Sequence, residues 1–153
     1  MLGVATMALC LMLQISLLTR ALMYYAQHQA DLKRASYAGA MLILNSVMLL
    51  LMLGNLAQVA VWALLFQFLG EFDSYRTAFY HSAVNFSTLG YGDLVMSEAR
   101  RLLGPIQAMN GVLMVGISTA AFMTTLRDAI KNNTQGLIKH HKEEIEEMVD
   151  RHG

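Results

Sequence analysis

Three long stretches of the chain carry no charged residue. They are residues 1–19, 38–70 and 102–126. A helix needs roughly 20 residues to cross about 30 Å of hydrocarbon, so each stretch is suited to spanning a membrane. No basic segment precedes the first stretch, which therefore does not resemble a secretory signal. The pattern predicts an all-α membrane protein with three transmembrane helices, the first over residues 1–26 and the second over residues 38–70.

A fourth uncharged stretch, residues 77–92, is too short to span a membrane. Asp73 and Ser74 precede it as candidate N-caps, and they predict a short helix over residues 74–87. Such a helix is roughly 20 Å long, so it ends partway through the bilayer, where two glycines follow. Irregular backbone at that depth survives only inside protein or beside a water-filled cavity. We therefore expect a re-entrant loop, followed by a third spanning helix over residues 105–126.

Composition supports the membrane assignment and narrows the chemistry. The chain is 56% hydrophobic and 14% charged, against a usual charged share of about 25%. Lysine plus arginine equals aspartate plus glutamate at 11 each, so nothing indicates a nucleic-acid partner. The single cysteine, Cys10, excludes a disulfide within the chain, and its place in an apolar stretch predicts an inert, buried thiol and not a reactive one. No phosphate-binding loop, metal-ligand cluster or nucleophilic triad is present, and the adjacent His140 and His141 face about 100° apart on a helix. We expect neither an enzyme nor a cofactor.

The distribution of cations predicts the orientation. Short loops on the cytoplasmic side are enriched in lysine and arginine. Cations follow the first and third uncharged stretches; they are Arg20, Lys33, Arg34, Arg127 and Lys131. This places the N-terminus and the re-entrant loop outside the cell membrane and residues 127–153 in the cytoplasm. That tail is expected to be helical, with a break at residues 132–136.

Beyond the expected break, an apolar stripe runs along the tail. Its members are Ile138, Ile145, Met148 and Val149. The stripe fits either a solvated amphipathic helix or a short self-associating bundle that holds subunits together.

The sequence TLGYGD, Thr88–Asp93, resembles the selectivity filter of potassium channels, whose common form is TVGYG. We call these six residues the filter segment. The order of helix, short helix, filter and helix over residues 38–126 resembles the pore module of prokaryotic two-transmembrane potassium channels. The resemblance implies a homotetramer in a prokaryotic inner membrane, in contact with lipid, that conducts K⁺ passively. Residues 1–26 are additional to that module.

A physical argument accompanies the resemblance. A dehydrated K⁺ ion needs several oxygen ligands, and successive backbone carbonyls can supply them if alternate residues adopt left-handed conformations, which glycine does without steric cost. The two filter glycines are two positions apart, as this requires. One loop supplies one oxygen to each layer, so four chains are implied. By resemblance, the ion-binding residues are Thr88, Leu89, Gly90, Tyr91 and Gly92.

The chain departs from the family around the filter. Leu89 stands where valine is most common. Tyr80, His81 and Val84 occupy positions that carry tryptophans and a glutamate in many potassium channels, so Asp93 has no carboxyl partner at position 84. His81 fits either a pH sensor or a neutral residue that is hydrogen-bonded behind the filter, with Asp93 of the same or a neighbouring subunit as one candidate partner.

Two glycines interrupt the third spanning helix. The resemblance favours Gly116, and then Gly111, as a gating hinge, while the alternative is that both simply allow helices to approach closely. The small residues 118–121 predict a wide inner cavity. Gln107 and Asn110 need polar partners in hydrocarbon, either behind the filter or on the pore wall.

Polar residues also occur on the first two helices. Asn45, Asn55 and Gln58 could hydrogen-bond to Gln14 or Ser16, but the sequence does not indicate what the first helix does. No helix repeats arginine every third residue, so no voltage sensor is expected. Two other functions stay open: a weakly selective cation channel, and a membrane-anchored interaction or sensor subunit with a silent pore.

Overall fold

The structure is a computed structural model that describes residues 1–27 and 37–152. Its helices in chain order are α1 (Leu2–Gln27), α2 (Tyr37–Phe68), α3 (Tyr75–Phe86) and α4 (Leu103–His152). The described residues contain no β-strand. Lys33 and Arg34, which contribute to the predicted orientation, lie outside the described residues, as do the side chains of Ile138 and Val149.

Three of the helices are long and apolar enough to cross a membrane: Leu2–Gln27, Met41–Phe68 and Leu103–Lys131. In the most apolar 18-residue part of each helix, only 17% to 39% of the residues are buried within the chain. Most of each helical surface therefore faces outwards, as contact with lipid or with a neighbouring subunit requires. This confirms the three predicted spans.

The last helix differs from the prediction. α4 begins at Leu103 and continues without a break through residues 132–136 to His152. The expected break is therefore wrong. These residues include no proline, and a single glycine costs a helix only about 1 kcal/mol. The Thr134 hydroxyl donates a hydrogen bond to the Ile130 carbonyl of the same helix at 3.0 Å.

The core lies where α1 and α2 meet the short helix α3. Trp62, Ala63 and Phe66 from α2 are fully buried there with Cys10 from α1 and Ala78 from α3. A second buried cluster joins the other end of α1 to α2, and its members are Ala21, Tyr25, Val47 and Leu51. α1 is thus packed along the rest of the molecule, and Cys10 fills space in the core, as its sequence context predicted.

Candidate functional site

The start of α3 is set by a side-chain cap. Ser74 has an extended backbone, with φ −128° and ψ 144°, and its hydroxyl oxygen accepts a hydrogen bond from the Thr77 backbone N–H at 3.2 Å. This satisfies one of the N–H groups that have no partner within the helix. Of the two predicted N-caps, Ser74 is the one the structure uses. α3 then runs for 12 residues, or about 18 Å.

The end of α3 leads directly into the filter segment. The Thr88 N–H donates to the Asn85 carbonyl at 2.9 Å, and the Leu89 N–H donates to the Val84 carbonyl at 3.0 Å. This pair of bonds forms a Schellman motif, which places Thr88 at the left-handed position that glycine usually fills. Thr88 has a φ of +60°. A β-branched residue with positive φ is a genuine outlier, so the backbone is strained at this residue.

Left-handed residues recur at every second position of the filter segment. Thr88, Gly90 and Gly92 have φ values of +60°, +57° and +74°. An ordinary strand points successive carbonyls in opposite directions, whereas alternating handedness turns them towards one side. A Cβ atom at either glycine would meet nothing within 4 Å, so glycine serves the backbone conformation here and not close packing.

The two left-handed glycines agree with the sequence-based expectation, and Thr88 adds a third. The sequence argument considered only glycine as a left-handed residue. Continuing the two-residue spacing back from Gly90 would have reached Thr88.

The large side chains of the filter segment are exposed in the single chain. Leu89 is 55% exposed and Tyr91 is 66% exposed, although both are large and mainly apolar. Of the aromatic residues on α3, Phe86 is buried and Tyr80 is exposed. Within the single chain all six residues of the filter segment are therefore exposed.

Asp93 has a partner that the sequence argument did not identify. The Tyr80 hydroxyl donates to the Asp93 carboxylate at 2.8 Å. That hydrogen bond is the main reason why the pKa of Tyr80 is raised. Position 84 offers Asp93 no carboxyl partner, because Val84 is buried and apolar. The Tyr80 phenol is the partner of Asp93 instead.

His81 lies behind the filter segment and bonds to Asn85. Its Nε2 is 2.9 Å from the Asn85 amide nitrogen, and its ring packs between Phe66 and Phe72, with ring centroids 5.5 and 4.8 Å away. Within this chain it does not bond to Asp93, which was one expectation for a neutral His81.

Burial lowers the pKa of His81, while a hydrogen bond to the Leu94 backbone and the carboxylates of Asp93 and Glu71 act in the opposite direction. A histidine in this setting is neutral at pH 7. Any sensing of pH by His81 would then fall below its ordinary pKa of about 6.5.

The structure gives different surroundings to Gly111 and Gly116, the two candidate hinges of α4. A Cβ atom on Gly111 would lie 2.0 Å from the Phe86 carbonyl oxygen, so α4 passes the end of α3 too closely for any side chain. A Cβ atom on Gly116 would meet nothing within 4 Å. Close approach therefore explains Gly111. It does not explain Gly116, whose role as a hinge stays a prediction.

Two amide side chains of α4, those of Gln107 and Asn110, are fully buried. The Gln107 amide donates to the Ser82 hydroxyl at 2.6 Å and to the Ser82 carbonyl at 3.0 Å. The Ser82 hydroxyl in turn donates to the Val59 carbonyl at 2.7 Å. Asn110 bonds to Gln58 at 3.4 Å. Gln107 thus lies against α3 and Asn110 against α2, and their expected place behind the filter or on the pore wall stays a prediction.

The small residues after Gly116 face different directions. Ser118 is buried against the neighbouring helices, whereas Thr119 and Ala120 are exposed. The expected wide cavity therefore cannot include Ser118 in its lining.

A cluster that joins the loop before α3 to the loop after the filter segment was not predicted at all. The Glu71 carboxylate accepts hydrogen bonds from the Ser97 N–H, the Ser97 hydroxyl and the Arg100 guanidinium, each at 2.8 Å. Arg100 also donates to the Leu69 carbonyl. Burial raises the pKa of Glu71, but these hydrogen bonds and the charge of Arg100 outweigh it and hold the pKa below its ordinary value. The cluster fixes the loop that follows the filter segment to the loop that precedes α3.

Three apolar helices with a short helix and an irregular segment between the second and third define an all-α, multi-pass membrane channel fold. A family model described as an ion channel matches residues 48–128, which is 81 of the 153 residues. The chain belongs to this ion channel family, in agreement with the expectation that it is not an enzyme. The match includes α3, the filter segment and most of the apolar part of α4, whereas α1 lies outside it. Comparison with curated proteins gave no match, and comparison with solved structures gave none.

Proposed function

We propose that this chain forms a homotetrameric channel that conducts K⁺ selectively and passively across the cell membrane. The observation that carries the proposal is the left-handed backbone at Thr88, Gly90 and Gly92. With this alternation, the carbonyls of the filter segment and the Thr88 hydroxyl can replace the water shell of a K⁺ ion. No cofactor is needed, because the transported ion is itself the bound species.

The tetramer follows from the number of oxygens that one loop can offer. A ring of ligands around an ion needs several carbonyls at one level, and one chain supplies one at each level. Closed rotational symmetry around a central axis provides the others. The exposure of Leu89 and Tyr91 supports this assembly, since a neighbouring subunit would cover side chains that are 55% and 66% exposed in the single chain.

The direction of α3 favours a cation below the filter. The C-terminal end of a helix carries a partial negative charge, and α3 ends at Phe86, two residues before the filter segment. Four such ends around one axis would stabilise a cation there.

In the proposed orientation the N-terminus and the filter mouth lie outside the cell, and α4 extends into the cytoplasm.

The test is ion flux into proteoliposomes that contain the purified tetramer. We expect K⁺ flux to exceed Na⁺ flux and Ba²⁺ to block it. Equal fluxes of K⁺ and Na⁺ would rule out selectivity and favour a weakly selective cation channel. No flux from a verified tetramer would favour a subunit with a silent pore.

A matched pair of variants links the flux to the backbone of the filter segment. Gly92 has a φ of +74° and Gly70 a φ of +72°, and neither has an atom within 4 Å of an added Cβ. Alanine therefore adds similar backbone strain at both positions, about 1–2 kcal/mol. We expect Gly92→Ala to abolish the preference for K⁺ and Gly70→Ala to retain it. Loss of selectivity in both variants would assign the effect to general strain.

A further inference from the structure

A buried polar network connects α1 to the pore-forming helices. Gln14 on α1 is fully buried. Its amide nitrogen donates to the Ser118 hydroxyl on α4 at 2.8 Å, and its carbonyl oxygen accepts from the Gln58 amide on α2 at 2.6 Å. The Gln14–Gln58 bond was one of the sequence-based expectations, whereas the bond to Ser118 was not.

The network holds α4 at two points. Asn110 donates to the Gln58 carbonyl oxygen at 3.4 Å. Ser118 accepts from Gln14 and, at 3.3 Å, from Asn55, while its own hydroxyl donates to the Met114 carbonyl. α4 is therefore tied to the same Gln14–Gln58 pair both before and after position 116.

The two ties lie on opposite sides of Gly116, a glycine whose presence close packing does not explain. Gly116 has no Cβ and has open space around it, and glycine costs a helix interior about 1 kcal/mol relative to alanine. A bend there would move Ser118 relative to Asn110 and would therefore strain the hydrogen bonds that hold both to the Gln14–Gln58 pair. In hydrocarbon an amide that loses its partner cannot turn to water instead. The network thus opposes bending at Gly116.

We propose that α1 is a built-in regulator of the pore, and that Gln14 is the positioning residue through which it keeps α4 straight and the channel closed. A bend at Gly116 would carry the C-terminal part of α4 away from the channel axis and widen the inner entrance. The proposal rests on the proposed function, because it requires a conducting tetramer. It assigns a role to the helix that lies outside the matched ion-channel region.

The first test is single-channel recording in planar bilayers. Gln14→Leu keeps a side chain of similar size but removes both hydrogen bonds. Hydrogen bonds between membrane helices are worth about 0.6–1.7 kcal/mol, so we expect the open probability to rise at least about threefold. Unit conductance and the preference for K⁺ should not change, since Gln14 is remote from the filter segment in sequence and bonds to none of its residues in the described chain.

Ser16→Ala is the matched control on the same helix. Ser16 is exposed, and its hydroxyl donates to the Leu13 carbonyl of its own helix. We expect an open probability equal to that of the unmodified channel. An unchanged or lower open probability in Gln14→Leu, or an equal rise in Ser16→Ala, would overturn the proposal.

A double-mutant cycle tests whether Gln14 acts through Gly116. Gly116→Ala stiffens α4 at the proposed bend. If the network controls bending there, the effect of Gln14→Leu should be much smaller in the Gly116→Ala background. An effect of the same size in both backgrounds would contradict the assignment, because a general loss of packing does not depend on residue 116.

A distance measurement separates failure of this inference from failure of the proposed function. Met41 on α2 and Ile130 on α4 are both exposed, so each can be replaced by a spin-labelled cysteine, with labelled chains diluted among unlabelled ones. We expect Gln14→Leu to broaden the Met41–Ile130 distance distribution within one chain, and Ser16→Ala to leave it unchanged. This outcome does not require conduction. An unchanged distribution in Gln14→Leu would overturn the inference even if the channel conducts K⁺.

Discussion

Thr88 combines two properties that seldom occur together at one residue. Its φ of +60° ends α3 in a conformation suited to glycine, and its β-branched side chain adds strain there. Such strain tends to persist where function requires it. The proposed function supplies the reason, because the Thr88 hydroxyl is one of the expected oxygen ligands of K⁺. Stability and selectivity should therefore respond in opposite directions to substitution at this residue.

Thr88→Gly tests this separation. We expect the detergent-solubilised protein to become more stable by about 1 kcal/mol, since the positive φ no longer carries a steric cost. The preference for K⁺ over Na⁺ should fall in proteoliposome flux, because the hydroxyl is absent. Thr88→Ser, which retains the hydroxyl, should retain most of the selectivity. Full selectivity in Thr88→Gly would show that the hydroxyl is not a ligand.

At the scale of helices, the sequence predicted positions better than contacts. The predicted ranges 38–70 and 74–87 correspond to the observed helices Tyr37–Phe68 and Tyr75–Phe86. These bounds depend on charge-free stretches and on a local N-cap, both of which are visible in the sequence. The crossing of α4 over the end of α3 is not visible in the sequence, because a glycine there can serve close packing, bending or a turn. Only the position of the Phe86 carbonyl shows that Gly111 serves close packing.

Alanine substitutions on α4 should therefore have opposite effects. Gly111→Ala places a Cβ 2.0 Å from a backbone oxygen, which must displace α3 and cost about 1–3 kcal/mol or more. Gly116→Ala meets nothing within 4 Å and should stabilise the helix by up to about 1 kcal/mol. Thermal unfolding of the two variants in detergent measures the difference. Equal destabilisation by both would mean that α4 does not pass α3 as closely as described.

At the scale of the whole molecule, polar contacts connect segments that are distant along the chain. Gln14 bonds to Ser118 across 104 positions, and Glu71 bonds to Arg100 across 29. Both contacts join elements on either side of the filter segment, the first between the apolar helices α1 and α4 and the second between the loops before α3 and after the filter segment. The side chain of Glu71 is only 3% exposed, so the loops close around its carboxylate.

Glu71→Gln should loosen the loop that follows the filter segment. We expect a loss of about 1–2 kcal/mol at pH 7, a moderate value because Arg100 is 41% exposed to solvent. The pKa of Glu71 is held below its ordinary value, so its stabilising contribution is complete above about pH 4.3 and disappears as the pH falls through the lowered pKa.

Thermal unfolding between pH 3 and 7 checks both expectations. The acid-induced loss of stability should be smaller in Glu71→Gln than in the unmodified protein. Glu98→Gln is the control, since Glu98 is exposed in the same loop, and it should behave like the unmodified protein. An identical acid response in Glu71→Gln would contradict the assigned role of the carboxylate.

The sequence by itself determined the three apolar spans, the short helix with an N-cap at Asp73 or Ser74, and the glycines of the filter segment. Each of these depends on residues that are close together along the chain, where hydrophobic length and backbone freedom are directly visible. The tertiary structure decided what the remaining residues do: Tyr80 supports Asp93, Gly111 allows α4 to pass α3, and the Gln14 network ties α1 to α4. These roles depend on which side chains meet in space, and a polar residue or a glycine is compatible with several partners until the helices are packed.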